Sequence, residues 1–294
     1  MTDLDQRPLS PTSRRLHGAR AALLLATTAL TSPFLISPVS AQTVPTGSSV
    51  AAGSVAIVQP SATQLNIIQS SQSAVVNWQS FSIGQGSAVN IAQPNSSSAI
   101  LNRVTGSTSS TIAGQLTANG QVYLVNPNGI AITKSGTVNT AGGFVASTLG
   151  ISDADFQSGK RTFSGNGASA GVTNAGTINV GRGGYAALIG GTVSNSGNIN
   201  VPLGKVGLGS GEQATLDFAG DGFLQVAVPT NSGGNHALIK NSGSITADGG
   251  SVTISAATAR ETRNTASGYR RHTPRNSRRS PEPRARTAAG TQAA

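Results

Sequence analysis

An eight-residue pattern that recurs between residues 132 and 246 constrains the fold of this sequence more than any other feature. Each copy has a β-branched residue at its first position, a glycine at its fifth and a second β-branched residue at its seventh. The copies begin at Ile132, Val172, Val193 and Ile239, so successive starts differ by 40, 21 and 46 residues. These separations are close to one or two multiples of about 20 to 23 residues, a period that is typical of a solenoid.

Three of the copies contain an Asn-x-Gly corner, at 174–176, 195–197 and 241–243. Asparagine and glycine tolerate the positive φ angles that tight corners need. Asparagine side chains that stack on successive turns of a solenoid form hydrogen-bonded ladders. We therefore expect stacked asparagines at these corners.

The stretch from Gln121 to Thr148 predicts a strand, a corner and a second strand. Residues 121–125 and 130–132 follow the alternation of a strand. Asn126-Pro127-Asn128-Gly129 lies between them, with proline at the second position and asparagine at the third position of a predicted β-turn. The chemistry of these residues predicts a corner at this point.

The composition favours an all-β chain. The sequence has 37 glycines, no cysteine and only 10% charged residues, and its apolar positions are mostly Val, Ile and Leu. We predict a right-handed parallel β-helix of roughly ten turns with an N-terminal cap, because the first turn of a solenoid exposes an open edge.

The net charge of +10 is concentrated at the two ends of the chain. Residues 1–41 carry four Arg and two Asp, and residues 260–294 carry nine Arg and two Glu, which leaves seven cations against six acids in residues 42–259. A nearly neutral body gives no support to nucleic-acid binding by the folded part.

The sequence divides into three predicted regions: 1–41, 42–258 and 259–294. The first has arginines, an apolar run from Ala21 to Leu30 and a Val39-Ser40-Ala41 cleavage site, which predicts a signal peptide for the general secretion route. A twin-arginine signal and an uncleaved anchor are the alternatives. The second region is the predicted β-helix.

The third region, 259–294, is rich in Arg and Pro and lacks strand alternation. A basic binding tail and plain disorder are two interpretations. We favour a third, a truncated or frame-shifted end of a longer β-helical protein.

Residues 42–120 contain short alternating segments that glycine- and serine-rich turns separate. Trp78, the only tryptophan, lies close to Phe81 and Ile83. An aromatic side chain on a strand more often packs in a core than binds a ligand. We expect Trp78 to anchor the core or the cap.

Residues 149–171 interrupt the repeats with charged and aromatic residues. If this segment were a strand, Asp153 and Asp155 would lie on the same face of it. One interpretation is therefore an acidic pair for metal binding or catalysis. Two carboxylates without further ligands make a poor metal site, so we expect a solvated, charged loop on one face of the solenoid.

Signals for an enzyme are weak. The three histidines, His17, His236 and His272, are far apart in the sequence, and Ser210 does not fit the Gly-x-Ser-x-Gly motif of a nucleophile elbow. We predict no catalytic, metal-binding or cofactor-binding residue. A β-helical carbohydrate-binding protein or polysaccharide-degrading enzyme is the alternative, but a lyase or hydrolase needs acids and bases on one face, and the six body acids are scattered.

Four short stretches resemble one protein family. They are 77–84 (NWQSFSIG), 100–106 (ILNRVTG), 114–116 (GQL) and 126–130 (NPNGI). In this order and spacing they are similar to the N-terminal secretion (haemagglutination activity) domain of filamentous haemagglutinin-type exoproteins of two-partner secretion systems. The chain departs from that family at 93–96, where Gln-Pro-Asn-Ser replaces the Asn-Pro-Asn-Leu motif.

This resemblance implies a function in secretion. It implies that the periplasmic domains of a dedicated outer-membrane β-barrel transporter recognise the chain, and that the protein is secreted to the bacterial cell surface as an adhesin. It also implies a monomer, with host-surface carbohydrate or protein as a further partner. The residues that it suggests for transporter recognition are Asn102, Arg103, Gly106, Asn126, Pro127, Asn128, Gly129 and Ile130. The alternative for each of them is a structural role in a corner or in the stacking of turns.

Overall fold

The structure, a computed structural model, describes residues 44–219, 222–228, 230 and 238–257. The predicted signal peptide and the predicted basic tail lie outside the described residues. Among the described residues, no helix has the length and apolar character needed to cross a membrane.

The described residues form one short helix and 24 strands. In chain order they are β1 (Ser49–Ala52), β2 (Val55–Ser61), β3 (Gln64–Gln69), β4 (Ser73–Trp78), β5 (Ala88–Ala92), β6 (Ala99–Val104), β7 (Ser110–Ile112), β8 (Gln115–Ala118), β9 (Gln121–Val125), β10 (Ile130–Ile132), β11 (Thr137–Thr140), β12 (Gly143–Ser147), α1 (Asp153–Gln157), β13 (Thr162–Ser164), β14 (Gly171–Asn174), β15 (Thr177–Val180), β16 (Tyr185–Gly190), β17 (Thr192–Asn195), β18 (Asn198–Asn200), β19 (Lys205–Ser210), β20 (Gln213–Leu216), β21 (Leu224–Ala227), β22 (Ile239–Asn241), β23 (Ser244–Thr246) and β24 (Ser251–Ala256).

Three sheets form the sides of a parallel β-helix. Sheet 1 has the order β1-β4-β6-β9-β12-β16-β19-β24, sheet 2 the order β2-β3-β5-β8-β11-β15-β18-β23, and sheet 3 the order β22-β17-β14-β10-β7. Successive strands of the chain move from sheet 2 to sheet 1, then to sheet 3 and back to sheet 2, as in β8 to β11. The predicted fold class is confirmed.

The number of turns is smaller than expected. Seven parallel strands stack in each of sheets 1 and 2 of the described part, against the roughly ten turns expected from the sequence. The difference arises because residues 149–170, 211–219 and 222–228 lie outside the three sheets of the β-helix, and because β1 and β2 belong to the cap.

Along each strand of the three sheets, alternate side chains point into the β-helix, where they form apolar columns. In sheet 2, Val138, Ile178 and Ile199 lie in register on successive turns and are at most 1% exposed, while the residues on either side of them face outward. Complete burial of such a side chain contributes roughly 1.5–3 kcal/mol. The stacked columns therefore hold the turns together.

The predicted repeat register is confirmed for three of the four copies. Val172 pairs with Val193, and Val193 with Ile239. The expected asparagine ladder is also present, because Nδ2 of Asn174 donates to Oδ1 of Asn195 at 2.8 Å, and Nδ2 of Asn195 donates to Oδ1 of Asn241 at 2.8 Å.

The first copy is shifted by two residues at its start. The sequence alignment placed Ile132 opposite Val172, but the structure pairs Ile130 with Val172 and Ile132 with Asn174. The corner after β10, residues 133–136, has four residues, whereas the corner after β14 has two. The register after the corner is as predicted, with Val138 opposite Ile178.

The N-terminal end is capped by reversed strands. β1 pairs antiparallel with β4, and β2 pairs antiparallel with β3. Below this cap, Trp78 is 1% exposed, its ring meets that of Phe81 edge to face at 5.5 Å, and its Nε1 donates to Oδ1 of Asn102 at 3.0 Å. The expected cap is present, and Trp78 is a core anchor.

The expectation of a solvated loop at 149–171 is wrong. α1 and β13 lie in this segment, and Phe156 and Phe163 are fully buried. β13 joins β20 and β21 in a three-stranded antiparallel sheet. We call α1 and this sheet the cover, because their apolar side chains pack on the outer face of sheet 1.

Asp153 and Asp155 form no shared acidic site. Asp153 forms an ion pair with Arg103 at 2.6 Å. Asp155 accepts the hydroxyl of Ser152, whose Oγ caps the N-terminus of α1 by accepting the backbone N–H of Asp155. The two carboxylates fix the first turn of the helix.

Candidate functional site

The corner between β9 and β10 is the β-turn that the sequence predicts. The backbone N–H of Gly129 donates to the carbonyl oxygen of Asn126 at 3.2 Å, and the N–H of Asn128 donates to Oδ1 of Asn126 at 2.9 Å. Gly129 has a φ of 115°, a region that favours glycine. Pro127 and Asn128 are exposed at the tip of the turn.

Asn126 attaches this corner to the preceding turn of the helix. Its side chain is fully buried, and its Nδ2 donates to the carbonyl oxygen of Thr108 at 3.0 Å and to Oγ of Ser110 at 2.9 Å. Because its Oδ1 also accepts two hydrogen bonds from Asn128, the amide is used fully within the fold.

Asn128 brings the corner against Gly106, another predicted site residue. Nδ2 of Asn128 donates to the carbonyl oxygen of Gly106 at 2.8 Å. A Cβ atom at position 106 would overlap the carbonyl oxygen of Gln79, so only glycine allows this close stacking of three turns. The structure therefore places Gly106 and the corner residues together.

Arg103 points away from the corner and toward the cover. Besides the ion pair with Asp153, its Nη2 donates to the carbonyl oxygen of Ile151 at 2.7 Å, and its Nη1 donates to Oδ1 of Asn77 at 3.4 Å. Arg103 thus holds the start of α1 against sheet 1.

The side chain of Asn102 lies inside the β-helix. It is fully buried, its Oδ1 accepts the Trp78 hydrogen bond, and its Nδ2 has no hydrogen-bond partner among the described residues. Asn102 and Arg103, which are neighbours in sequence, face opposite sides of sheet 1.

The eight predicted residues therefore divide into three groups. Gly106 and residues 126–130 form one local site, Arg103 serves the cover and Asn102 the core. Within the local site, only Pro127 and Asn128 are exposed, while Ile130 is 2% exposed.

Sequence reasoning missed a buried polar cluster beneath the cover. Nε of Arg161 donates to the hydroxyl of Tyr123 at 2.9 Å, that hydroxyl lies 2.5 Å from the hydroxyl of Tyr185, and Tyr185 donates to Oε1 of Gln121 at 2.8 Å. The guanidinium also lies over the rings of Tyr123 and Phe156, 4.9 and 4.3 Å from their centres. Nη1 of Arg161 also donates to the carbonyl oxygens of Phe156 and Lys160, both at 2.9 Å, so the buried guanidinium has aromatic and carbonyl partners.

Burial controls the ionisation of both tyrosines. Desolvation raises the pKa of Tyr123 above its ordinary value, although the Arg161 charge opposes this. Desolvation also raises the pKa of Tyr185 well above its ordinary value, and the neighbouring Tyr123 adds to the effect. Both hydroxyls are neutral at physiological pH and serve as hydrogen-bonding groups.

A second missed residue, Glu212, ties the cover to the loop before β14. Its carboxylate accepts the backbone N–H of Gly167 at 3.0 Å, the backbone N–H of Ser169 at 2.9 Å and the hydroxyl of Ser169 at 2.6 Å. Burial alone would raise the pKa of Glu212, but these hydrogen bonds and one from Thr230 hold the pKa below its ordinary value. The described residues contain no group of three or more His, Cys, Asp or Glu side chains placed to hold a metal ion.

A family model described as the TPS secretion domain, where TPS denotes two-partner secretion, matches residues 41–271 of this chain. This match covers well over half of the sequence. The chain belongs to the TPS secretion domain family.

Named relatives of this secretion domain come from Haemophilus influenzae. The heme/hemopexin-binding protein of strain Rd is 34% identical over 229 residues, which are 74% of this chain and 24% of that protein. A second heme/hemopexin-binding protein of the species is 47% identical over 90 residues, 31% of this chain and 10% of that protein. The chain thus spans about a quarter of the length of the first relative.

A solved structure supports the same family assignment. The crystal structure of the HMW1 secretion domain from H. influenzae has 35% identity and a TM-score of 0.66, and the match covers 72% of this chain and 56% of that chain. The family resemblance and the β-helical fold expected from the sequence are confirmed.

Proposed function

We propose that this secretion domain directs an exported bacterial protein to a dedicated outer-membrane β-barrel transporter, whose periplasmic domains recognise the chain. The exported protein then reaches the cell surface or the medium. The observation that carries the proposal is the corner 126–130, where the residues of the family resemblance form a turn whose tip, Pro127 and Asn128, is exposed.

Burial supports recognition before folding is complete. Asn126 is fully buried and Ile130 is 2% exposed in the folded domain, so a transporter that reads the entire corner meets it before the β-helix closes. In the unfolded chain, the alternating segments add as strands to sheet edges of the transporter. Backbone hydrogen bonds then supply affinity, and side chains supply selectivity.

Folding after translocation gives the process a direction. A single turn cannot bury its own apolar face, whereas each turn added to a stack buries a further Val or Ile residue in each column. The chain passes through the pore of the transporter only in an extended form. The folded β-helix is too wide for the pore, so folding opposes movement of the chain back into the periplasm.

The remaining predictions accompany this proposal. Residues 1–41 serve as the signal peptide, 42–258 as the secretion domain and 259–294 as a basic Arg- and Pro-rich tail, disordered or frame-shifted. We propose a monomer without catalytic activity, and a host-surface carbohydrate or protein as the further partner.

The test is secretion of the full chain with and without the outer-membrane barrel encoded beside it. Immunoblots of medium and periplasm should show the protein in the medium only when the barrel is present. Equal release without the barrel, or retention in the periplasm with it, contradicts the proposal.

A point variant separates recognition from folding. Asn128→Ala removes an exposed amide at the tip and should lower release in the presence of the barrel. Asn198→Ala, which removes an exposed asparagine of β18, is the matched control and should be released normally. Normal release of both variants would exclude Asn128 from recognition.

A further inference from the structure

The outer face of sheet 2 carries a column of polar side chains that lies apart from the corner at residues 126–130. The column occupies the same position on successive strands of sheet 2 from β3 to β23. Its first five members are Asn66, Asn90, Thr117, Asn139 and Asn179, and Asn200 and Thr246 continue it. Neighbouring strands are about 4.8 Å apart, so the first five members extend over about 19 Å along the helix axis.

Hydrogen bonds inside the column fix the orientation of its amides. Nδ2 of Asn90 donates to Oδ1 of Asn66 at 3.2 Å, and Nδ2 of Asn179 donates to Oδ1 of Asn139 at 2.9 Å. The hydroxyl of Thr117 donates to Oδ1 of Asn90 at 2.6 Å. The Nδ2 groups of Asn66 and Asn139 make no hydrogen bond within the described residues, so they remain available as donors.

A shallow groove of about 840 Å³ runs beside the column. Its other side is lined mostly by small or apolar residues, Ile68, Ala92, Ala141 and Gly181, and by Asn119, whose amide is hydrogen-bonded to the backbone of Gln93. Ile68 is 48% exposed at one end. The groove thus combines a row of oriented amides with a strip of C–H surface.

The groove lining contains no Asp, Glu, Lys, Arg or His. A phosphate, a sulfate or a metal ion would lose hydration there without gaining a counter-charge, and that loss is unfavourable. A neutral ligand that presents both hydroxyl groups and C–H faces has no such cost. Its hydroxyls can pair with the oriented amides while its C–H faces lie on the alanines.

We propose that this groove binds an extended, neutral polysaccharide that lies along the helix axis. Sugar rings present the required combination of hydroxyls and C–H faces, and the amides recur at a fixed interval, so several sugar units engage at once. Each contact is weak, but many copies on one cell surface multiply the avidity. The proposal does not depend on transporter recognition.

The direct test is calorimetric titration of the full chain with neutral hexasaccharides of β-linked glucose, mannose, xylose and N-acetylglucosamine. A heparin hexasaccharide serves as the anionic comparison. We expect at least one neutral sugar to bind with a dissociation constant of about 0.1–1 mM, and heparin not to bind. The proposal fails if no neutral sugar binds in the millimolar range, or if heparin binds as well.

Two variants locate the binding site. Asn139→Ala removes a free amide, and Ala141→Phe fills the groove from an exposed position. Asn139→Ala should weaken binding roughly five- to tenfold, as expected for one lost hydrogen bond, and Ala141→Phe should weaken it by blocking the groove. Asn198→Ala, on the same sheet but outside the groove, should bind normally, and unfolding curves for all variants check that they fold.

Two outcomes of the variant experiment would overturn the proposal. The first is full sugar affinity in both groove variants. The second is a change in the sedimentation coefficient of sugar-free Ala141→Phe without a change in sugar affinity, which would assign the groove to contacts between two copies of the chain.

Discussion

The side-chain amides of Asn126 and Asn128 stabilise the corner at residues 126–130, and the two residues differ in burial and in hydrogen-bond partners. Asn126 is buried and satisfies backbone and hydroxyl groups of the preceding turn. Asn128 is exposed and makes one hydrogen bond to Gly106. A buried group that loses its partner costs more free energy than an exposed one, which water can satisfy.

Stability measurements should separate these two asparagines. We expect Asn126→Ala to lower the free energy of unfolding by about 1–3 kcal/mol, because it leaves the carbonyl of Thr108 and the hydroxyl of Ser110 without this partner. Asn128→Ala should cost less than about 1 kcal/mol. Urea unfolding of both variants checks this, and equal losses would contradict it.

At the scale of elements, glycine allows the corners of successive turns to approach closely. A Cβ atom on Gly197 would overlap the carbonyl oxygen of Gly176 directly below it, whereas a Cβ on Gly222 would meet open space. The close stacking of successive turns at the corner between sheets 3 and 2 therefore depends on Gly197 and is independent of Gly222.

The two glycines provide a matched pair of substitutions. Gly197→Ala should destabilise the domain by about 1–3 kcal/mol, because the backbone has to move to make room. Gly222→Ala should leave the unfolding midpoint nearly unchanged. A thermal unfolding experiment on each variant is sufficient, and similar midpoints for both would refute the steric argument.

Glu212 links the cover to the β-helix in a pH-dependent way. Its pKa is lower in the folded state, so the ionised carboxylate stabilises the fold at neutral pH. This contribution is complete above the unfolded pKa of about 4.3 and is lost as the pH falls through the lower folded pKa.

Replacement of Glu212 by glutamine should therefore reduce stability most at neutral pH. We expect a loss of roughly 1.5–3 kcal/mol at pH 7, the value of hydrogen bonds to a charged group, and a smaller loss at pH 3. Denaturant unfolding across this pH range measures the difference. A loss that does not change with pH would show that the charge is not responsible.

At the scale of the whole molecule, the cover and the β-helix share one core. The outer face of sheet 1 is buried by α1, β13, β20 and β21, so neither the cover nor this face of sheet 1 buries its apolar side chains without the other, while the interior of the β-helix forms a second core. Such sharing predicts a single cooperative unfolding transition.

Phe163→Ala tests this cooperativity. Phe163 is fully buried between the cover and sheet 1, and its loss should cost about 3–5 kcal/mol. Far-ultraviolet circular dichroism and Trp78 fluorescence should shift to the same lower midpoint, although Trp78 lies in the other core. Separate transitions for the two signals would indicate that the cover unfolds alone.

The sequence predicts the β-helix because its signals are local and repeated, but it hides the cover. The Asn-x-Gly corners recur on neighbouring turns, whereas Phe163 and Leu224 are far apart in sequence and each lies in a short segment. One signal was present: Val122–Val125 and Ala186–Ile189 are continuous apolar runs, a pattern of strands buried on both faces.

The candidate site was predictable to the same extent. The turn at residues 126–129 follows from Pro127 and Gly129 alone. The attachment of Arg103 to α1 could not be predicted from the sequence. It depends on a tertiary contact with a segment that the sequence presents as a charged loop.

The antiparallel cap makes the two ends of the β-helix unlike. At one end β1 and β2 reverse the strand direction, and Pro60 in β2 lacks a backbone N–H, which makes this edge a poor template for a further strand. At the other, β22, β23 and β24 are paired on one side only within the described residues. The described domain therefore offers open edges for further parallel strands at one end only. We therefore expect further parallel turns to add at the end that β22, β23 and β24 form.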